Sequence, residues 1–182
     1  MTSSADRLRL LGIAREAIAA HVSRSPAREP AATGHASPFA GAFVTLHRRG
    51  ELRGCIGHLQ PDLPIGHVVA QCAVAACSQD PRFPPVNAAE LPDLDIELSI
   101  LGPRERVASI EEIEIGRHGL VAERGSRRGL LLPQVATEWK WDRQTFVEQT
   151  CHKAGLPRDA WRHAATLWKF EAEVFGDRKP GI

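Results

Sequence analysis

The chain has 182 residues, enough for one domain with a real hydrophobic core, and 23 Lys and Arg against 22 Asp and Glu leave a formal net charge of +1. This balance gives no global attraction to nucleic acid or an anionic membrane, and the longest apolar runs fall well short of a membrane span. Four cysteines without a Cys-x-x-Cys pair, and no secretory signal at the start of the sequence, point to a reducing cytoplasm rather than a disulfide framework.

In chain order, Ser3 to Val22 is predicted to be a helix. Ser3 caps it with Asp6 three residues on, and Leu8, Leu11, Ala14, Ile18 and Val22 recur at three- and four-residue steps. Residues 23–38 are rich in Ala, Pro, Ser and Gly without periodicity and are expected to form a variable loop. A hairpin follows, with Ala42 to Leu46, a turn at Arg49-Gly50, and a second strand from Glu51 to Gly57. Asp62 is expected to cap a helix with Pro64 in its first turn, its core stripe being Ile65, Val68, Val69, Cys72 and Ala76. Cys72 is thereby read as packing.

Asp80-Pro81-Arg82-Phe83-Pro84-Pro85 is a stiff connector, because proline fixes φ and biases the residue before it to extended backbone. Such stiffness serves equally to turn a corner and to hold Asp80 or Arg82 at a pocket rim. Leu94 to Ile100 alternates cleanly and is predicted to be a strand whose polar face carries Asp95, Glu97 and Ser99. A solvated sheet face is one reading of these three; Glu97 lining a cleft beside Cys55 is the other. Ser109 with Glu112 resembles a capping box, and Gly119 to Arg124 with Arg128 to Leu132 make a second hairpin around Gly125-Ser126. Arg124, Arg127 and Arg128 at its tip are read as a solvated basic patch.

Pro133-Gln134-Val135 leads to Trp139 and Trp141, and the four tryptophans are read as core or lobe-interface packing. Asp142 caps a helix that turns Phe146, Thr150, Cys151 and Ala154 inward and is stopped by Gly155 and Pro157. A short helix from Asp159 through Trp161 precedes a closing strand, Thr166 to Phe175, with Trp168, Phe170, Ala172 and Val174 on one face. Hairpins outnumber β-helix-β crossovers in this order. The predicted fold is α+β, a largely antiparallel sheet with flanking helices, in a two-lobed single domain spanning residues 1–182.

The chemically loaded stretch is Leu52-Arg53-Gly54-Cys55-Ile56-Gly57-His58. Strict strand alternation puts Arg53, Cys55 and Gly57 on one face, where a guanidinium near the thiol favours the thiolate. Gly54 and Gly57 let a ligand or another backbone approach the strand. The competing reading is a buried cysteine acting as a small hydrophobe between strand glycines. The hairpin register matters as well. A two-residue turn pairs His47 with Leu52, away from the cysteine face, whereas a loop longer by one residue brings His47 and Thr45 onto it.

The candidate catalytic residues are therefore Cys55 as nucleophile or group carrier, Arg53 as its activator and His58 as proton carrier, with His47 and His118 as other candidates for that last role. Gly54, Gly57, Arg82 and Glu97 are the candidate binding residues for an unknown small molecule, Arg82 through an anionic group. The alternative is a binding or adaptor module in which the same motif shapes a groove. A third reading is a metal site, since Cys55-x-x-His58 has ligand-like spacing and Cys151 or His152 could join it. A zinc site needs three or four protein ligands and spacing supplies only this one pair, so no metal or cofactor is assigned. Nucleic-acid binding ranks last, because the aromatic residues fall mostly on core stripes rather than among basic ones.

Taken together, Leu52 to Gly57, Asp80 to Pro85, Leu131-Leu132-Pro133-Gln134-Val135, Thr150-Cys151-His152-Lys153-Ala154-Gly155-Leu156 and Phe170-Glu171-Ala172-Glu173-Val174-Phe175 resemble the AMMECR domain family, whose prokaryotic members are called AmmeMemoRadiSam system protein A. The resemblance implies a two-lobed α+β fold in a cytosolic protein, and Memo-type and radical SAM proteins as companions. It supplies no established reaction. The family's suspected functional motif maps onto Leu52 through Gly57.

Overall fold

The computed structural model describes residues 2–26, 40–59 and 62–177, so most of the expected variable loop lies outside the described residues. Contacts divide the chain into two units, one formed by the chain up to Leu101 together with the stretch from Glu173 on, the other by Gly102–Ala172. Every strand pairing described is antiparallel, which makes the fold α+β as predicted. No helix among the described residues is long and apolar enough to cross a membrane.

The first unit begins with α1 (Ser4–Val22), closed at its start by the expected capping box between Ser3 and Asp6. The buried stripe is Leu10, Leu11, Ala14, Ala17 and Ile18, whereas Leu8 is 73% exposed. At 100° per residue Leu8 lies about 120° from the centre of that stripe, which corrects its place in the core pattern. Removing the cap through Ser3→Ala is expected to cost about 1 kcal/mol, seen as a lower urea midpoint at unchanged m-value. An unchanged midpoint would mean that the first turn contributes nothing to the cooperative unit.

Next come β1 (Gly41–Arg48), β2 (Glu51–Leu59), α2 (Ile65–Ser78) and β3 (Leu94–Leu101), giving the strand order β2-β1-β3 with the end of β7 (Thr166–Gly176) beyond β3. Alternation on β1 sends Ala42, Val44 and Leu46 into a core with α1, α2 and the Ile96, Leu98 and Ile100 side of β3. Pro64, not Asp62, holds the cap position of α2, and no side chain closes it. Proline's fixed φ suits a helix start, but as the cap residue it has no side-chain acceptor to offer. The predicted stripe of α2 is fully buried, Cys72 included. A 3-10 turn, Ala88–Asp93, leads into β3 and carries a capping box from Asn87 to Glu90.

In the second unit β7 lies between the short β4 (Glu105–Arg106) and β5 (His118–Arg124), and β6 (Arg127–Leu131) follows β5. Two helices, α3 (Pro133–Glu138) and α4 (Arg143–Lys153), complete it; α4 has the predicted Asp142 cap and the Gly155 stop at φ 70°. Phe146, Val147, Cys151, Leu120, Ala122 and Leu167 form its core. Trp139 departs from the packing role expected of the tryptophans: it is 67% exposed at the end of α3 and stacks on Trp141. Strand β7 departs as well. Leu167 and Phe175, on the face expected to be polar, pack against the cores of the second and first units, while Val174 is 46% exposed.

Candidate functional site

The turn between β1 and β2 has two residues, Arg49 and Gly50, both with positive φ, and pairs His47 with Leu52. Further along, Leu46 pairs with Gly54 and Thr45 with Cys55, so Arg53 is an extra residue in a β-bulge. The bulge changes which side chains share a face, in a way that neither expected register contained. His47 and Thr45 are two residues apart on β1 and lie on one face, and Thr45 stands directly opposite Cys55. A two-residue turn and a His47 on the cysteine face therefore occur together.

Strand β3 extends the same face. Thr45 pairs with Glu97, His47 with Asp95, and Phe43 with Ser99. Cys55, Thr45 and Glu97 thus form one row across three strands, with His47 and Asp95 in the row beside it. All five side chains are half-buried, on the side of the sheet away from α1 and α2. Glu97 is on the cysteine face, as its candidate role required.

Arg53 is not where strict alternation put it. Its Nε and Nη2 donate to the two carboxylate oxygens of Glu90 at 2.9 and 3.1 Å, and Arg48 donates to Glu90 from the adjoining strand at 3.0 Å. The bulge aims Arg53 at this buried acid instead of at the sulfur. His58 pairs with Ala42, a core-face position, and so lies on the face opposite Cys55. Three residues apart on a strand is an odd separation, so Cys55 and His58 do not converge on one ion or one substrate atom. His118 and Cys151 belong to the other unit. Among the described residues no group of three or more His, Cys, Asp and Glu is placed to hold a metal ion.

The glycines of the motif serve packing. A Cβ on Gly54 would lie 2.2 Å from the carbonyl oxygen of Ala76 in α2, and one on Gly57 would lie 2.2 Å from the ring of Phe43. At Gly54 another backbone makes the close approach, one of the two expected; at Gly57 an aromatic side chain does, which was neither.

What holds Cys55 in place comes from the proline-rich connector. β2 is an edge strand, and an edge leaves backbone groups without ladder partners. The Cys55 N–H donates to Asp80 Oδ2 at 2.9 Å, and Arg82 Nη2 donates to the Cys55 carbonyl at 3.4 Å. Since that N–H points away from β1, Thr45 and Cys55 are a non-hydrogen-bonded pair, the kind whose side chains come closest. The Thr45 hydroxyl accordingly reaches the sulfur, with Oγ1 donating to Sγ at 3.3 Å.

Asp80 is a buried carboxylate, 4% exposed, and it also accepts from the Arg82 backbone N–H at 3.1 Å, Nε at 2.9 Å and Nη2 at 2.7 Å. The Arg82 guanidinium, then the N–H groups of Cys55 and Arg82, hold its carboxyl far below the usual range against the opposing effect of burial. Of the four thiols, Cys72, Cys77 and Cys151 are at most 2% exposed, and burial pushes the Cys72 thiol up to about 11. Cys55 alone is half-buried.

Comparison with known proteins fixes the family. The sequence pattern of AMMECR1 fits residues 11–175. The chain belongs to the AMMECR1 family. A relative from Methanothermobacter thermautotrophicus is 48% identical over 142 residues, 74% of this chain and 74% of that protein. One from Methanosarcina mazei is 40% identical over 178 residues, 92% of this chain and 89% of its relative. The crystal structure of the uncharacterized protein PH0010 from Pyrococcus horikoshii matches with a TM-score of 0.82 at 38% identity, covering 94% of this chain and 91% of that one.

In this AMMECR1 chain the motif residues divide by what they touch. Cys55 and Thr45 meet at the sulfur, Asp80 and Arg82 fix the Cys55 backbone, and Arg53 pairs with Glu90 on the helix side of the sheet. Sequence reasoning passed over Thr45 as a sulfur partner and Glu90 altogether. A signal for Glu90 was present, since Asn87 three residues before it spells a capping box. Thr45 depended on the bulge, which no spacing rule announces.

Proposed function

We propose that this AMMECR1 protein works through a thiol site at the β2 edge, with Cys55 as nucleophile or group carrier for an electrophilic small molecule that bears an anionic group. Thr45 steadies the sulfur with its hydroxyl, and Arg82, whose side chain is 54% exposed, offers guanidinium surface to the anion. Memo-type and radical SAM proteins are the companions this reading assigns to donate or receive the carried group. The observation that supports it most is Asp80. A buried carboxylate is costly unless satisfied, and this one is committed to the N–H of Cys55 and to Arg82.

Competitive alkylation of the folded protein tests the reading. Relative to a free thiol, Cys55 is expected to prefer iodoacetate over iodoacetamide by about threefold, a fraction of the roughly 1 kcal/mol that one charge at close range gives in water, because Asp80 offsets part of the Arg82 charge. Arg82→Gln is expected to abolish that preference. Equal preference in both proteins removes Arg82 from the site.

The second reading is the binding module, and the packing of Gly54 and Gly57 favours it: both explain the motif without chemistry. In that case Cys55→Ser retains every partner contact of the wild-type protein while Gly57→Val loses them.

A further inference from the structure

We propose that His47 is the group that takes the proton from Cys55, with Asp95 as the positioning residue that orients its imidazole; this rests on the thiol reading above. The argument is one of register. His47 and Cys55 are diagonal neighbours on one face, because Cys55 pairs with Thr45 and His47 follows Thr45 by two residues. Diagonal neighbours have Cβ atoms about 7–8 Å apart, within the combined reach of an imidazole and a thiol. Asp95 stands directly opposite His47 on β3, at the closer cross-strand spacing of about 5 Å. Thiol, imidazole and carboxylate therefore lie in sequence across β2, β1 and β3. Among the described residues the His47 side chain is engaged in no hydrogen bond or ion pair, so the proposed arrangement forms when its ring turns to meet Asp95 and Sγ.

The bulge at Arg53 has a function in this arrangement. Without the extra residue the two-residue turn would have left His47 and Cys55 on opposite faces, and Arg53 would have remained on the cysteine face. One inserted residue exchanges a fixed cation for a titratable base beside the sulfur. The other charged groups facing this pair are Glu97, diagonal to His47 on β3, and Arg82 with Asp80 at the β2 edge. Arg48, Arg53 and Glu90 are paired with one another on the helix side.

The step balances simply. The proton passes from Sγ to a ring nitrogen of His47, the thiolate electron pair forms the bond to the electrophilic carbon, and the leaving group departs with its own pair. The imidazolium then returns its proton to water.

The test is the iodoacetamide rate at Cys55 in the folded protein at about pH 6.5 and about pH 9.5, in wild type, His47→Gln and Asp95→Asn. At the lower pH His47→Gln is expected to react at least about tenfold more slowly than wild type, and Asp95→Asn at an intermediate rate. At the higher pH the three are expected to converge, because hydroxide then takes the proton in place of His47. Equal rates at both pH values, or a deficit of the same size at both, overturn the role of His47 and leave the thiol site standing. No labelling of wild-type Cys55 at either pH removes the thiol site itself.

Discussion

Gly54→Ala is expected to destabilise the protein by roughly 3 kcal/mol or more, enough to bring a marginal domain near its unfolding threshold. The added Cβ would sit 2.2 Å from the Ala76 carbonyl oxygen and 3.2 Å from its carbon. Those are backbone atoms of a 14-residue helix whose inner face is fully buried, so relief requires α2 to move off the sheet. For Gly57→Ala the nearest atoms are those of the Phe43 ring, from 2.2 Å; a side chain can give by rotating about χ1 where a helix backbone cannot, so a smaller loss is expected there. Gly12→Ala in α1 is the opposite case. Nothing lies within 4 Å of the new methyl, and helix propensity alone should stabilise by about 0.5–1 kcal/mol. Urea unfolding of the three variants checks the order; a Gly54→Ala midpoint equal to wild type would show that α2 does not rest on β2 at this point.

Glu90→Ala is expected to cost about 3 kcal/mol, the low end of the range for breaking a buried ion pair. Glu90 is 5% exposed and serves three groups: Arg53, Arg48 and the Asn87 N–H of its own capping box. Arg53, with only 12% of its side chain exposed, would be left charged without a partner. Arg48 is one-third exposed and can turn to water, which limits the loss.

The same carboxylate predicts a pH dependence. Hydrogen bonding from Arg53 first, then from Asn87, lowers the folded Glu90 pKa from 4.5 to about 2 against the opposing effect of burial. In that interval the unfolded chain binds the proton more tightly than the folded one. The stabilisation, on the order of 3 kcal/mol, is therefore complete above about pH 4.5 and lost as pH falls toward 2. Asp80 is shifted in the same direction and adds to the loss at low pH. Unfolding free energies measured from about pH 5 to about pH 2 should fall less steeply in Glu90→Ala than in wild type. Parallel curves would mean that the Arg53 pairing is absent in solution.

The elements were legible in the sequence because their signals are local. Ser3 with Asp6, Ser109 with Glu112, and Asp142 and Gly155 at the two ends of α4 mark helix ends by chemistry that acts over three or four residues. The candidate site was legible only in its centre. Cys55 stood out as a thiol between glycines, and Glu97 reached its face because β1 and β3 pair without irregularity. Arg53, His58 and His47 depended on face assignments that alternation carries correctly through a regular strand. A single bulge reverses them on one side of the insertion. His58, beyond the bulge, still obeys simple alternation and falls opposite Cys55 for that reason. Asp80 and Arg82 needed a tertiary fact, the meeting of the connector with an open sheet edge, to separate a corner from a clamp.

The central claim is that Cys55 is a held and reachable sulfur while the other three thiols are filler. Treating the folded protein with a small excess of iodoacetamide and mapping the adducts by mass spectrometry tests it most directly. One adduct per chain on Cys55 is predicted, with Cys72, Cys77 and Cys151 labelled only after unfolding. Labelling that begins at any of those three, or that spares Cys55 until the chain unfolds, would contradict it.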